Sequence, residues 1–394
     1  MADKVLIYGA GGHSGRLLAR AAAARWAGGG RFELLLGGRR EDRLAPLAKE
    51  LGLPVRVIAL DDAPALLKAL AEPGLRIIVN AAGPFADTAP VLARAAVHVG
   101  CHYVDLNGEA DVYRRLDDLG YVAAQAGVAL VCGAGHSSAT SDLLLEQALR
   151  RVVASGRREV GTVRIAFGAV PWLSTGSVRS AWRSVREQVV VMRGGPGATE
   201  LRLQHEPVGR LERSFDFGDG PRIASAANLL DLYSARLTAQ RFIDAGRLVR
   251  LRAIEGYIET GPLMRLAVQA GALTAPLLAL PGVRQVVRAN AELLATPPDA
   301  DEAPPRRHTV LLQIDDGFGA LLVDWRVDTP EPYVYSAQTV IGVVEGLQAR
   351  PTAGWRTPAE LFDVAQAFEH PDQGPWQGCT LRLGGTLAGE GAAP

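Results

Sequence analysis

The sequence predicts an α/β chain of two domains: a doubly wound parallel sheet over residues 1–144, then an α+β domain with a mixed or antiparallel sheet. Three observations carry this. Short apolar runs alternate with helical stretches from the N-terminus onward. A glycine cluster joins the first run to the first helix. After about residue 145 the alternation gives way to longer β-rich stretches. A chain of 394 residues also exceeds what one hydrophobic core usually serves.

Residues 4–8 form the first apolar run, ending in Gly9-Ala-Gly-Gly-His-Ser-Gly15, and residues 16–26 are alanine-rich and helical in composition. Residues 32–36 read as the second strand. Leu44, Leu47, Ala48 and Leu51 then recur at helical spacing over residues 41–51. The pattern repeats with strands expected at 55–60, 75–80, 102–106 and 129–132, and helices at 63–71, 90–99 and 110–126. Connections of this length require parallel pairing, because a tight hairpin cannot join parallel neighbours.

From a helix starting near Asp142 the second domain, 145–334, is expected to hold strands at 159–170, 189–193, 200–204, 309–314 and 321–327. A mainly helical insertion is expected at 225–295, followed by a proline-rich loop at 296–307. Residues 335–347 are helical in pattern, and Thr357-Pro-Ala-Glu reads as a capping box. The segment 335–394 is expected to pack back on the first domain.

The 42 basic and 42 acidic residues cancel, so no general attraction to nucleic acid or anionic membrane is expected. Cys101, Cys132 and Cys379 form no CxxC pair, which argues against a zinc site or a disulfide framework and fits a reducing cytoplasm. Met1 to Lys4 lead directly into an apolar strand, leaving no room for an export signal. Residues 263–283 are apolar for about the length of a membrane span, but Arg265, Gln269, Pro276 and Pro281 favour a buried or capping helix.

A glycine turn between a first strand and a helix lets backbone N–H groups reach a pyrophosphate at the positive helix end. Here Gly9, Gly12 and Gly15 give G-x-x-G-x-x-G, with Gly11, His13 and Ser14 completing the loop. Arg39 and Arg40 end the second strand, where NADP sites place cations on the 2′-phosphate, so NADP(H) is favoured over NAD(H). Asp61 reads equally as an adenine contact or part of a helix cap. The small residues of Asn80-Ala81-Ala82-Gly83-Pro84 permit close approach of the cofactor's ribose and nicotinamide half.

With these motifs and Cys101-His-Tyr-Val-Asp-Leu-Asn-Gly-Glu109, the chain resembles the saccharopine dehydrogenase-like oxidoreductase family, most closely over residues 4–145. That resemblance implies a Rossmann domain with an α+β substrate domain. It also implies either saccharopine-type amine formation or trans-acting enoyl reduction. The loop 133–142 departs from the family's usual Gly-Phe-Asp-Ser pattern, with His136 and Ser137 where an aromatic-acid pair is common. The insertion before Thr309 looks more like the enoyl reductase branch.

Hydride transfer calls for an acceptor-polarising group and often a proton donor on loops at the carboxyl ends of strands. The candidates are His136, Tyr103, Asp105 and Tyr335, each with an equally plain structural role as a packed or capping residue; His102 and Tyr333 lie beside them. Glu109 reads as a helix start. Trp172 to Ser177 and the spaced Arg179, Arg183 and Arg186 are weaker substrate-side candidates. No HExxH, Walker or Ser-His-Asp signature is present.

The reading is an NADPH-dependent reductase of an activated C=C or C=N bond in a small or carrier-bound substrate. The alternative is a catalytically silent nucleotide-binding scaffold, in one version membrane-associated. An exposed edge of the second sheet would serve a homodimer.

Overall fold

The computed structural model describes residues 2–169, 188–194, 200–261 and 307–387. Chain contacts divide it into two units, residues 1–139 with 332–363 and residues 140–331 with 364–394.

Unit 1 contains a seven-stranded sheet: β1 (Asp3–Tyr8), β2 (Phe32–Gly38), β3 (Val55–Val57), β4 (Leu75–Asn80), β5 (His102–Asp105), β6 (Ala129–Val131) and β15 (Gly354–Trp355). Every pairing is parallel, in the order β15-β6-β5-β4-β1-β2-β3. The strand order reverses between β1 and β4, which places the ligand crevice of such a sheet beyond the ends of those two strands. Val5, Ile7, Leu34, Leu36, Ile77, Val79, Val104 and Val131 form its buried core with Leu18, Ala19 and Ala22 of helix α1 (His13–Trp26). Near-continuous apolar strands are what a sheet covered on both faces requires.

Several element boundaries differ from the expectation. Helix α4 (Phe85–His98) begins five residues before the expected 90, because the Glu109 carboxylate receives the Phe85 and Ala86 N–H groups at 3.0 and 3.1 Å. Pro90 then sits inside the helix without an N–H for the Ala86 carbonyl, and Arg115 donates to that oxygen instead at 3.2 Å. The helix expected at 110–126 is split into α5 (Ala110–Arg115) and α6 (Leu119–Gln125) at Asp117-Asp118. Helix α7 begins at His136 rather than near Asp142 (His136–Ala154), so much of the expected loop 133–142 is the first turns of a helix.

Unit 2 is built on a nine-stranded mixed sheet, in which β7 (Glu159–Phe167) lies parallel to β12 (Arg250–Glu259) and antiparallel to β13 (His308–Asp315), with β9 (Leu201–Glu206), β10 (Glu212–Asp216) and β11 (Pro221–Ala226) between β7 and β12 in the chain. Of the stretch expected as helical over 225–295, the described residues 225–261 are helical at α8 (Asp231–Asp244), whereas Arg250–Glu259 is a central strand. Leu251, Ala253, Ile254 and Tyr257 are buried there, and this packing outweighs a composition that alternates poorly. Glu255, also on β12, forms ion pairs with Arg193 at 3.1 Å and Arg164 at 3.4 Å, tying β8 (Val189–Gly194) and β7 to it.

The C-terminal segment corrects a further expectation. Helix α9 (Pro332–Ala349) lies against α1, with Arg25 and Trp26 both bonded to Glu345, and β15 extends the parallel sheet. From Val364 onward, however, the chain belongs to unit 2, where β16 (Thr380–Gly384) pairs with β14 (Leu321–Thr329). Trp376 is fully buried there, its ring edge-on to Phe368 at 5.2 Å. The segments at 172–177, 179–186, 263–283 and 296–306 lie outside the described residues. Among the described residues no helix is long and apolar enough to cross a membrane.

Candidate functional site

The glycine loop lies at the switch point. Gly9 follows β1 with φ +88°, and a Cβ there would stand 2.7 Å from the Ala82 nitrogen, so the loop after β1 rests directly on the loop after β4. A Cβ on Gly15 would overlap the Gly9 carbonyl oxygen and come within 2.8 Å of Ala10 Cα. These two absences of a side chain let α1 start tight against its own loop. Gly12 precedes α1 with extended backbone, no side-chain cap and no acidic residue in the first turn. An uncovered helix N-terminus of this kind presents N–H donors and positive potential to an anion. Helix α3 (Ala63–Leu70) shows the contrast, since Asp62 caps it by accepting the Ala65 N–H at 3.0 Å. Asp61 is thereby released from the capping role that the sequence left open, and stands exposed.

Arg39 and Arg40 are exposed where β2 ends, and among the described residues neither forms an ion pair. Tyr8, at the end of β1, donates to the Ile58 carbonyl at 3.1 Å; its pKa is pushed up to about 12 by burial, with Arg39 and Asp61 acting on it in opposite directions. The loop glycines, the open N-terminus of α1 and the two arginines are the parts a 2′-phosphorylated dinucleotide needs. If they hold it, replacing both arginines with serine weakens NADPH binding about 10- to 100-fold and leaves NADH nearly unchanged, as a fluorescence titration will show.

Behind this crevice runs a buried polar network. Asn80 donates to Thr88 at 3.1 Å and to the Tyr103 hydroxyl at 3.0 Å, while its own oxygen accepts the Ala82 N–H at 3.0 Å. Thr88 closes the loop by donating to the Ala82 carbonyl at 2.6 Å. Tyr103 passes its proton donor to Asp105 at 3.0 Å, and the other Asp105 oxygen accepts Asn107 N–H at 3.0 Å and Gly133 N–H at 2.8 Å. Alternation along β5 puts Tyr103 and Asp105 on one face, as their spacing suggests, but both have 0% exposure. They organise loops and present nothing to solvent. Thr88 and Asn107 belong to this network without any sequence signal that singles them out. His102 is also structural: its Nδ1 accepts the Ala129 N–H at 2.9 Å, and burial and Arg76 hold its pKa below the usual value.

His136 opens α7 at the exit of β6, with 7% of its surface exposed. Its backbone N–H donates to Ser336 Oγ at 2.9 Å, and Thr339 donates to the Ala134 carbonyl at 2.8 Å. Both pins come from α9, some 200 residues later in the chain. The same helix brings Tyr335 edge-on to His136, with ring centroids 5.7 Å apart, and Tyr333 edge-on to His13 of the glycine loop at 5.0 Å. Two tyrosines of one helical turn therefore meet histidines from two cofactor-side loops. Burial and Arg16 lower the His13 pKa, favouring its neutral form.

Residues 5–131 match the family described as the saccharopine dehydrogenase NADP binding domain. This part of the chain is similar to that domain over about a third of the sequence. The matched span takes in the glycine loop, the two arginines and the Asn80 to Pro84 loop. Trans-acting enoyl reductase of Mycobacterium tuberculosis is 29% identical over 189 residues, 46% of this chain and 44% of that protein. The Mycobacterium leprae protein of the same name is 29% identical over 210 residues, 52% of this chain and 48% of its own length. The match thus spans about half the length of these curated relatives. Saccharopine dehydrogenase (L-Glu forming) from Saccharomyces cerevisiae superposes with a TM-score of 0.60 at 12% identity, covering 97% of this chain and all of that one, a likeness of fold.

Proposed function

We propose that the protein is an NADPH-dependent reductase of an α,β-unsaturated thioester, small or carried on a partner, rather than of an imine. The observation that carries this choice is the fate of the strand-exit carboxylates. Asp105 is fully buried and accepts two backbone N–H groups and Tyr103, and Glu109 is consumed in capping α4. An iminium is best served by an available carboxylate, whereas the developing enolate oxygen of a reduced enoyl thioester needs a neutral hydrogen-bond or proton donor. His136, set beside Tyr335 at the exit of β6, is the group assigned to donate there. The name shared by the mycobacterial relatives supports the same reading.

The bound dinucleotide supplies the hydride. The chain's own residues would hold and orient it: backbone N–H groups of the Gly9 to Gly15 loop would take the pyrophosphate, and Arg39 and Arg40 the 2′-phosphate. His136 hydrogen-bonds to the acyl oxygen as charge develops on it, with Tyr335 holding the ring. The closed network behind Asn80 keeps the loop after β4 rigid against the nicotinamide half.

The test is NADPH consumption with crotonyl thioesters, coenzyme A-bound and carrier-bound, against cyclic imines. Consumption with an enoyl thioester and none with imines is expected. Turnover of the imines alone would replace this reading, and no turnover of either with tight NADPH binding would favour the silent scaffold.

A further inference from the structure

Tyr103 and Asp105 meet the requirements for a catalytic pair by residue type, yet the structure buries both completely. What they touch assigns them another task. Asp105 ends β5, and its carboxylate is bonded directly to Asn107 after β5 and to Gly133 after β6, and through the Tyr103 hydroxyl to Asn80 at the end of β4. The loop after β4 underlies Gly9, and the loop after β6 leads into His136.

We propose that Asp105 is a positioning residue for the dinucleotide: its ionised carboxylate, acting through Tyr103 and Asn80, sets the strand-exit loops in the geometry that binds the cofactor. This rests on the NADP-binding reading of the crevice. The ionised form alone fits the donors present. One oxygen already faces two N–H groups and the other faces the Tyr103 hydroxyl, so a proton on either oxygen sets a donor against a donor. Tyr103 cannot simply turn, because its oxygen also receives the Asn80 amide. The titratable groups facing Asp105 are Tyr103 on its own strand and Cys132 beyond β6, both held neutral well above their usual pKa; Asn80 and Asn107 carry no charge. Burial raises the Asp105 pKa from 3.8 to about 6, opposed by its hydrogen bonds from Gly133, Asn107, Tyr103 and Cys132. Cofactor affinity should therefore fall as pH drops through that value.

The experiment measures dinucleotide Kd and melting temperature between about pH 7.5 and pH 5 for the full chain, Asp105→Asn and Tyr103→Phe. NADH is titrated beside NADPH, because the 2′-phosphate itself titrates near pH 6 while the NADH pyrophosphate does not. Protonation of His13 would strengthen anion binding in acid, so it cannot imitate the effect. For the wild type, Kd for both dinucleotides should rise about tenfold toward pH 5. Asp105→Asn should bind about tenfold more weakly at neutral pH with the acid limb gone, and Tyr103→Phe about fivefold more weakly with most of it gone.

Stability must move the other way. A carboxylate whose folded pKa is raised contributes stability that is full below 3.8 and is lost as pH rises through about 6, so wild type minus Asp105→Asn should be larger at pH 5 than at pH 7.5. A residue that served stability alone would leave the affinities of the folded variants at the wild-type value. The proposal is overturned by a wild-type affinity that is flat with pH, by a Tyr103→Phe protein that binds like the wild type, or by one that does not fold. Failure of the wild type to bind either dinucleotide at any pH would instead overturn the cofactor reading beneath it.

Discussion

Gly15→Ala should weaken NADPH binding by at least about a hundredfold while leaving a folded, if less stable, protein. The added Cβ overlaps the Gly9 carbonyl oxygen and crowds Ala10 Cα, and both obstacles are backbone, so no rotamer change relieves them. The loop must move away from the start of α1, which separates the N–H groups that have to converge on one pyrophosphate. Losing one or two hydrogen bonds to a charged group, at about 1.5–3 kcal/mol each, accounts for the factor. Crowding of this kind typically costs stability about 1–3 kcal/mol, so a lower melting temperature should accompany the loss of affinity. Calorimetric titration of the folded variant is the check, and near-normal NADPH affinity would show that the phosphates sit elsewhere.

His136→Ala should lower kcat by about 10²–10⁴-fold with little change in NADPH affinity. The reason is its position: it opens α7 beyond β6, pinned by its own N–H to Ser336 and set against Tyr335, whereas the dinucleotide loops are those after β1, β2 and β4. Tyr335 is fully buried and holds the imidazole, so Tyr335→Phe, which retains the ring contact, should cost about tenfold or less. Single-turnover rates with saturating NADPH are the check. Equal kcat for His136→Ala and wild type would remove His136 from the chemistry.

The fold is most legible in the sequence where the local pattern and the tertiary structure demand the same thing. Strand, glycine turn and helix at residues 3–26 need only an apolar run, a turn free of Cβ clashes and an alanine-rich helix, and all three are local. The parallel sheet follows from connection lengths. What escaped was set by distant partners. The start of α4 depends on Glu109, over 20 residues on, and the start of α7 on Ser336, 200 residues on; neither partner is marked by its own neighbourhood. Strand β12 was hidden among helix-prone flanks because a strand paired on both sides takes its stability from neighbours.

The candidate site divides along the same line. The residue types Tyr103, Asp105, His136 and Tyr335 stand out in the sequence and all four are buried, so their partners sort them: the first two close a network inside the domain, while His136 and Tyr335 meet through a helix from the other end of the chain. Spacing alone carries no information about that meeting. The sequence does show that Tyr103 and Asp105 share a face of β5, and their hydrogen bond follows from it.

The central claim is that this chain uses NADPH to reduce an activated double bond, and isotope transfer tests it most directly. NADPH carrying deuterium on one face of the nicotinamide C4, incubated with the protein and a crotonyl thioester, should deliver deuterium to the β-carbon of the butyryl product from one cofactor face only, while the α-carbon takes its hydrogen from solvent. A product without deuterium from either labelled cofactor, or no product beside demonstrable NADPH binding, would contradict it.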